Sequence, residues 1–245
     1  MPSNGFFEIS DSVDSTNNYA MQKVHAGLAK HGLACFAKEQ TKGKGQRGKS
    51  WLGRPGQNIA MSLVLQPSFL KTNQQFYLSM AIALACCDFF KCFAAEEIKI
   101  KWPNDLYWRD RKAGGILIEN VLQGKEWKWA IVGIGININE TEFDALLPNP
   151  VSLKQIKYSN YDVIALAKQL YDLVMKRFEK LNARHLAGLL KEYNQQLYKL
   201  NEAVKLRKDN IVFETAIKEV SGNGQLKTKD VIEREFNFGD VEWVL

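Results

Sequence analysis

The chain is poor in cysteine and histidine and has no long apolar run. Its four cysteines are Cys35, Cys86, Cys87 and Cys92, and the last three crowd one apolar segment. No C-x-x-C pair occurs and no histidine lies near those three, which speaks against a metal site and for reduced core thiols. No stretch approaches the roughly 18–20 consecutive apolar residues of a membrane-spanning helix, so no membrane contact is expected. Met1 to Ile9 lacks a basic segment followed by an apolar one, so no secretory signal is expected and the chain reads as cytoplasmic. Internal repeats and low-complexity tracts are missing too. The most informative absence is local. Between Gln40 and Asn58 there is no Asp or Glu, while Lys42, Lys44, Arg47, Lys49 and Arg54 all fall there.

What is present follows from that gap. The chain holds 33 basic and 27 acidic residues, and without those five cations 28 would face 27. Nearly all the excess positive charge therefore sits in one glycine-rich stretch, read from Gly43 to Trp51 as G-K-G-Q-R-G-K-S-W. Charge confined to one loop suits a small anionic ligand better than a nucleic-acid-binding face. Glycine lets backbone N–H groups approach an anion, and the lysine and arginine tips add charge. The string also fits the P-loop pattern, Gly43 then Gly48-Lys49-Ser50. A P-loop must lead into a helix, whose N-terminus supplies amides to phosphate. Here Trp51-Leu52-Gly53-Arg54-Pro55-Gly56 follows, with two glycines and a proline where the helix would begin. The match is accidental.

A length of 245 residues allows one large domain or a large plus a small one. Residues 8–13 predict a strand, Asp14-Ser15-Thr16-Asn17 an N-cap, and a helix then runs to about Ala26. Strands are expected at Leu33–Lys38 and Asn58–Leu65, and a nearly all-apolar helix at Gln74–Phe93, buried against a sheet. Glu97–Trp102 alternates, with Ile98, Ile100 and Trp102 opposite Lys99 and Lys101. Asn104-Asp105 predicts a turn. A hairpin follows, Leu106–Trp108, a turn over Arg109–Lys112, and Gly114–Val121. In the strand Trp127–Asn139, Gly133, Gly135, Asn137 and Asn139 share one face, a flat polar floor of the kind that something approaches closely. An asparagine there suits a purine edge. Two amphipathic helices follow, over 163–178 and 186–197. From about Asn201 the pattern turns to short strands, near Ile211–Lys218, Lys227–Phe236 and Val241–Leu245, with a turn at Ser221–Gly224.

Four segments in this order and spacing resemble the biotin protein ligases: Asp14-Ser15-Thr16-Asn17; Gln40–Trp51; Lys101-Trp102-Pro103-Asn104-Asp105 with Arg111-Lys112-Ala113-Gly114-Gly115-Ile116-Leu117; and Gly133-Ile134-Gly135-Ile136-Asn137. The resemblance spans about residues 8 to 140 and implies an α+β fold, a mixed β-sheet flanked by helices as in class II synthetases. It also implies a catalytic domain over 1–199 and a small SH3-like β-barrel over 200–245. The implied activity joins biotin to ATP as biotinyl-5′-adenylate, with Mg²⁺ arriving on the nucleotide, then transfers biotin to a lysine of a biotin carboxyl carrier protein. By the same resemblance, Ser15, Thr16, Asn17, Gln40, Gly43, Lys44, Gly45, Gln46, Lys112 and Gly115 hold biotin. Trp51, Asn104, Asp105, Lys112 and Asn137 hold the nucleotide, with Trp51 on adenine. Lys112, Arg47 and Asp105 are the catalytic candidates, Asp105 also for the magnesium and for the proton of the acceptor lysine.

The sequence departs from the family pattern at Gln46, where arginine is common, and at Lys44. About seven residues precede the first strand, so no DNA-binding domain is expected. A monomer and a homodimer are both compatible with the sequence. A lipoate or octanoate ligase of the same fold is the near alternative, though it would end its glycine loop near a histidine and an aspartate. A basic-loop nucleic-acid-binding protein is the alternative from another class.

Overall fold

The computed structural model describes residues 6–93, 97–145, 147–181 and 185–244. Strand β1 (Phe7–Val13) leads into α1 (Thr16–His25), then β2 (Leu33–Gln40) and β3 (Asn58–Leu65). Helix α2 (Gln75–Lys91) is followed by β4 (Ile98–Lys101), β5 (Asp105–Trp108), β6 (Arg111–Gln123) and β7 (Glu126–Asn137). These seven strands form one sheet in the order β1-β2-β3-β7-β6-β5-β4. Only the β1–β2 pair is parallel, so the sheet is mixed, as the expected fold class requires.

Two helices lie on one face of the sheet, α2 and α4 (Val163–Lys180), and α5 (Leu186–Gln195) packs against α2. Every residue of α2 from Met80 to Cys87 is buried, which is why its sequence reads apolar on all sides. Arg177 of α4 fastens the layer, pairing with Asp88 of α2 and, through both terminal nitrogens, with Glu192 of α5. The opposite face is only partly covered. Helix α1 packs there on Leu33, Cys35, Val64 and Ile131. The rest of that face, across β3, β7, β6 and β5, carries the small and polar positions that form the site.

The C-terminal strands β8 (Ala203–Lys208), β9 (Ile211–Val220), β10 (Leu226–Lys229), β11 (Glu233–Phe236) and β12 (Glu242–Val244) make a second, five-stranded sheet ordered β11-β10-β9-β8-β12. The segment expected as one strand from Lys227 to Phe236 is a hairpin, because Asp230 accepts the Ile232 N–H and turns the chain. Met1–Gly5 and Leu245 lie outside the described residues.

Other boundaries differ for local reasons. A single 3₁₀ turn, Thr72–Gln74, precedes α2. Asp105 pairs directly with Lys101, so it opens β5 and does not sit in a turn. The turn expected over Arg109–Lys112 is only Arg109-Asp110, with Arg109 left-handed at φ 52°, and Arg111 and Lys112 join β6. Asn139 lies beyond the end of β7. Its carboxamide exchanges hydrogen bonds with the Tyr161 backbone and leaves the polar floor. A short helix, α3 (Leu153–Lys157), was not expected, although Ser152 and Gln155 form a capping box that the sequence contains.

Candidate active site

Strand register builds the floor. Gly115 of β6 lies opposite Gly135 of β7, and Leu117 opposite Gly133, so these residues share the uncovered face. Ser62 of β3 lies opposite Gly133. Both β7 glycines are needed because side chains lie on them. A Cβ at Gly135 would overlap the Trp51 indole, and one at Gly133 would overlap the Asn17 carboxamide. The close approach expected at these glycines is therefore met within the protein.

Lys112 reaches this face through a bulge. The register of β6 against β5 shifts by one residue between Leu106 and Tyr107, leaving Ala113 as the extra residue. Strict alternation from Gly115 would point Lys112 away. The bulge restores it to the face of Asp105, where its ammonium lies 2.7 Å from the carboxylate. Both side chains are about a quarter exposed, at 29% and 24%. The Lys112 backbone is held in turn by Asn149 and Val151, just before α3. Asn137 donates to the carbonyls of Lys112 and Val151, which spends its N–H₂ inside the protein and leaves its oxygen as the group to offer a ligand. The Asn104 side chain donates to the Ile116 carbonyl, and the Asn104 carbonyl accepts the Ile116 N–H, which fastens the residue just before β5 to β6.

The start of α1 supplies hydroxyls. Ser15 occupies the N-cap position, yet its side chain makes no capping hydrogen bond. Ser15, Thr16 and Asn17 are all buried. Gln40 accepts from both the N–H and the hydroxyl of Thr16, at 2.8 and 3.0 Å. Behind them, the Ser62 hydroxyl is 2.7 Å from that of Thr16 and 2.6 Å from the Asn17 oxygen. Asn17 donates to Glu119 at 2.7 Å, and Lys44 lies 3.5 Å from the same carboxylate.

The loop closes this cluster as a small hairpin. Trp51 N–H donates to Gly43, and Gly45 N–H to Lys49, around a turn in which Arg47 is left-handed at φ 56°. A Cβ on Gly43 would overlap the Trp51 carbonyl, so this crossing needs glycine. Under the loop is a cleft of about 580 Å³, lined by residues 40–45, 47–50 and 52 together with Leu117 and Glu119. Two loop residues depart from their expected neighbours. Gln46 lines a second cleft of about 290 Å³ with Asn104, Phe76 and Phe238. Arg47 lines the first cleft but its guanidinium reaches toward the Gly239 carbonyl of the C-terminal sheet, at 3.5 Å.

At the far end of the face, Lys101 is 6% exposed. Its ammonium bonds the Tyr107 hydroxyl at 3.1 Å and lies over the rings of Tyr107 and Trp243. Burial pushes it down to about 8, against the opposing pull of Asp105.

The structure thus gathers Ser15, Thr16, Asn17, Gln40, Gly43, Lys44 and Gly45 at one end of the face, and Trp51, Asp105, Lys112, Gly115 and Asn137 beside them. Sequence reasoning missed Ser62, Glu119 and the burial of Lys101. Ser62 is a lone hydroxyl in the apolar run of β3, and Glu119 follows from counting in twos from Gly115, so both had a signal.

The sequence pattern of the biotin/lipoate A/B protein ligase family matches residues 9–137, more than half of the chain. The chain belongs to this family. It is 31% identical over 202 residues to the bifunctional ligase/repressor BirA of Escherichia coli, a match covering 79% of this chain and 60% of that protein. A biotin–[acetyl-CoA-carboxylase] ligase of Paracoccus denitrificans is 39% identical over 129 residues, covering 51% of each. The chain therefore spans only half to three-fifths of these two relatives. Among solved structures of the family fold, a biotin protein ligase of Aquifex aeolicus in complex with biotin and ATP superposes with a TM-score of 0.81. That likeness covers 97% of this chain and 98% of the other at 22% identity, and it is one of fold. The family pattern ends at Asn137, so it takes in all four segments singled out in the sequence.

Proposed function

We propose that this member of the biotin/lipoate A/B protein ligase family activates biotin with ATP and transfers it to a lysine of a biotin carboxyl carrier protein. The observation that carries the proposal is the composition of one sheet face. Gln40 lines a lysine-rich cleft and accepts from Thr16, next to Ser15, so a neutral cluster of hydroxyls and a carboxamide borders it, and the Asp105–Lys112 pair lies on the same sheet face at Gly115. A neutral ring urea suits the first part. The reacting carboxylate and phosphates suit the second. The relatives' names point the same way.

In the first step a biotin carboxylate oxygen attacks the α-phosphorus, and the bond to the pyrophosphate oxygen breaks. Two anions must meet, so cations placed where charge builds up lower the barrier. Lys112 leaves Asp105 and bridges carboxylate and α-phosphate, while Lys44 and Lys49 hold the loop end of the cleft positive. The Asn137 oxygen accepts from the adenine amino group, and the indole of Trp51 forms the wall beside it. Among the described residues no group of three or more His, Cys, Asp or Glu could cage a metal. A single carboxylate, Asp105, suits Mg²⁺ that stays bound mainly to the triphosphate and water. When bound, that ion neutralises phosphate charge. In the second step the acceptor amine attacks the acyl carbon and AMP leaves. Asp105, released by Lys112, takes the ammonium proton. The C-terminal unit from residue 200 acts as an SH3-like domain on the catalytic unit 1–199, and the protein works in the cytoplasm.

The test is exchange of labelled pyrophosphate into ATP. Biotin should support it and lipoate and octanoate should not; support by lipoate or octanoate alone would assign the chain to the other branch of the family. Lys112→Ala should lower biotin-dependent exchange by at least about a hundredfold with an unchanged circular dichroism spectrum. Exchange at the wild-type rate would remove Lys112 from the chemistry.

A further inference from the structure

The polar chain Lys44–Glu119–Asn17–Ser62–Thr16–Gln40, buried at Asn17, Ser62 and Thr16, has a direction, and the direction is set at one end. Glu119 is a carboxylate and can only accept. The Leu117 carbonyl, also beside the Asn17 nitrogen at 3.4 Å, can only accept as well. The Asn17 carboxamide is therefore fixed with N–H₂ toward β6 and its oxygen toward Ser62. That oxygen accepts, so the single Ser62 proton goes to Asn17. Ser62 then has none to give to Thr16. Gln40 is equally constrained at the far end, because its oxygen receives the Thr16 backbone N–H at 2.8 Å. The Thr16 hydroxyl thus lies between Ser62, whose proton is spent, and the Gln40 oxygen. It donates to one of them and receives from neither. Its remaining lone pairs are left to accept from a ligand.

We propose that Glu119 is a positioning residue that sets this polarity and so makes the cleft select ligands offering N–H at Thr16. Resting on the reading of the site as a biotin site, the selected group is a ring-urea N–H, in preference to a ring that can only accept, such as a dithiolane. Lys44, 3.5 Å from the other carboxylate oxygen, ties the loop to the same chain. Gly133 belongs to the device too, since only a missing Cβ lets the Asn17 carboxamide lie where Ser62 and Glu119 both reach it.

The decisive variants are Glu119→Gln and its combination with Asn17→Asp. Glutamine is the same size but offers Asn17 either an acceptor or a donor, so Asn17 is no longer held one way round; in the turned-over state its N–H₂ faces Ser62, and the Ser62 proton moves to Thr16. The KM for biotin in pyrophosphate exchange should rise by about threefold or more, because the hydrogen bond to Thr16 is then made in only part of the molecules. The KM for ATP and kcat should stay within about twofold. In the double variant, the introduced aspartate accepts from the introduced glutamine and from Ser62, the original direction returns, and the KM for biotin should recover. An unchanged KM in Glu119→Gln, an equal rise in the KM for ATP, or no recovery in the double variant would each overturn the proposal. Thermal melts of both variants accompany the kinetics, and a loss of biotin affinity that follows melting temperature in both would make Glu119 merely structural. Wild-type protein that neither binds biotin in calorimetry nor exchanges with it would overturn the functional reading and this inference together.

Discussion

A glycine in a strand is a statement about what lies on top of it. Gly135 shows this at the scale of one residue: its missing Cβ is the space filled by the Trp51 indole. Gly135→Ala keeps an ordinary strand backbone but expels the ring. The expected outcome is a KM for ATP raised about tenfold, the worth of one aromatic contact, with a melting temperature within a few degrees of wild type. Exchange kinetics and a thermal melt check both; an unaltered KM would remove the indole from nucleotide binding. The glycine pattern was legible in the sequence, and so was the need for a close neighbour. Which neighbour was not, since Trp51 and Asn17 are brought there by the loop hairpin and by α1, both far away in the chain. Asn139 was misplaced on the floor for a related reason. Alternation continues on paper past Asn137, whereas the strand stops and Tyr161 claims the carboxamide.

At the scale of elements, the site depends on two small irregularities, neither of which has a strong sequence signal. The bulge at Ala113 turns Lys112 toward Asp105, and a bulge depends on the partner strand as much as on its own residues. The second is α3. Its capping box sets the chain just after Val151, the residue that holds both Lys112 and Asn137. Ser152 is fully buried and accepts the Gln155 N–H at 3.2 Å. Ser152→Ala should therefore cost about 1 kcal/mol in urea unfolding and also raise the KM for ATP. If stability falls but nucleotide kinetics do not move, α3 is scaffold only. By contrast α2, α4 and α5 were all readable from periodicity, because burial on one side or on all sides writes itself into composition over many residues.

At the scale of the whole molecule, the uncovered sheet face is bounded at both ends. Helix α1 covers the β2–β3 end. At the β4–β5 end the cover comes from the C-terminal sheet, where Trp243 of β12 lies over Lys101 and donates to the Trp102 carbonyl, and Trp102 donates to Gly224. The alternation in Glu97–Trp102 set Lys101 opposite Ile98 and Ile100; Tyr107 of its own sheet and Trp243 of the second sheet together enclose it. That burial has a pH signature. The folded-state value, about 8, is below the ordinary 10.5. Between those two values the unfolded chain holds a proton that the folded chain has released, so this group makes stability rise with pH across that window and leaves it level below about 8. The urea midpoint of wild type should accordingly gain on that of Lys101→Met between pH 8 and 10. Parallel curves would mean that the ammonium is not buried by the C-terminal sheet.

The Asp105–Lys112 pair has a consequence for the protein in a crowded ionic milieu. Lys112 is not an empty socket for anions, since a tethered carboxylate already competes for it at high effective concentration. Stray phosphate or chloride must displace a rival that never diffuses away. Only a ligand that brings two anionic groups together, and so repays the exchange twice, takes the lysine. If Lys112 bridges carboxylate and phosphate as proposed, the resting pair works as a background filter: it lowers the sensitivity of the site to simple salts while leaving its response to that paired ligand intact.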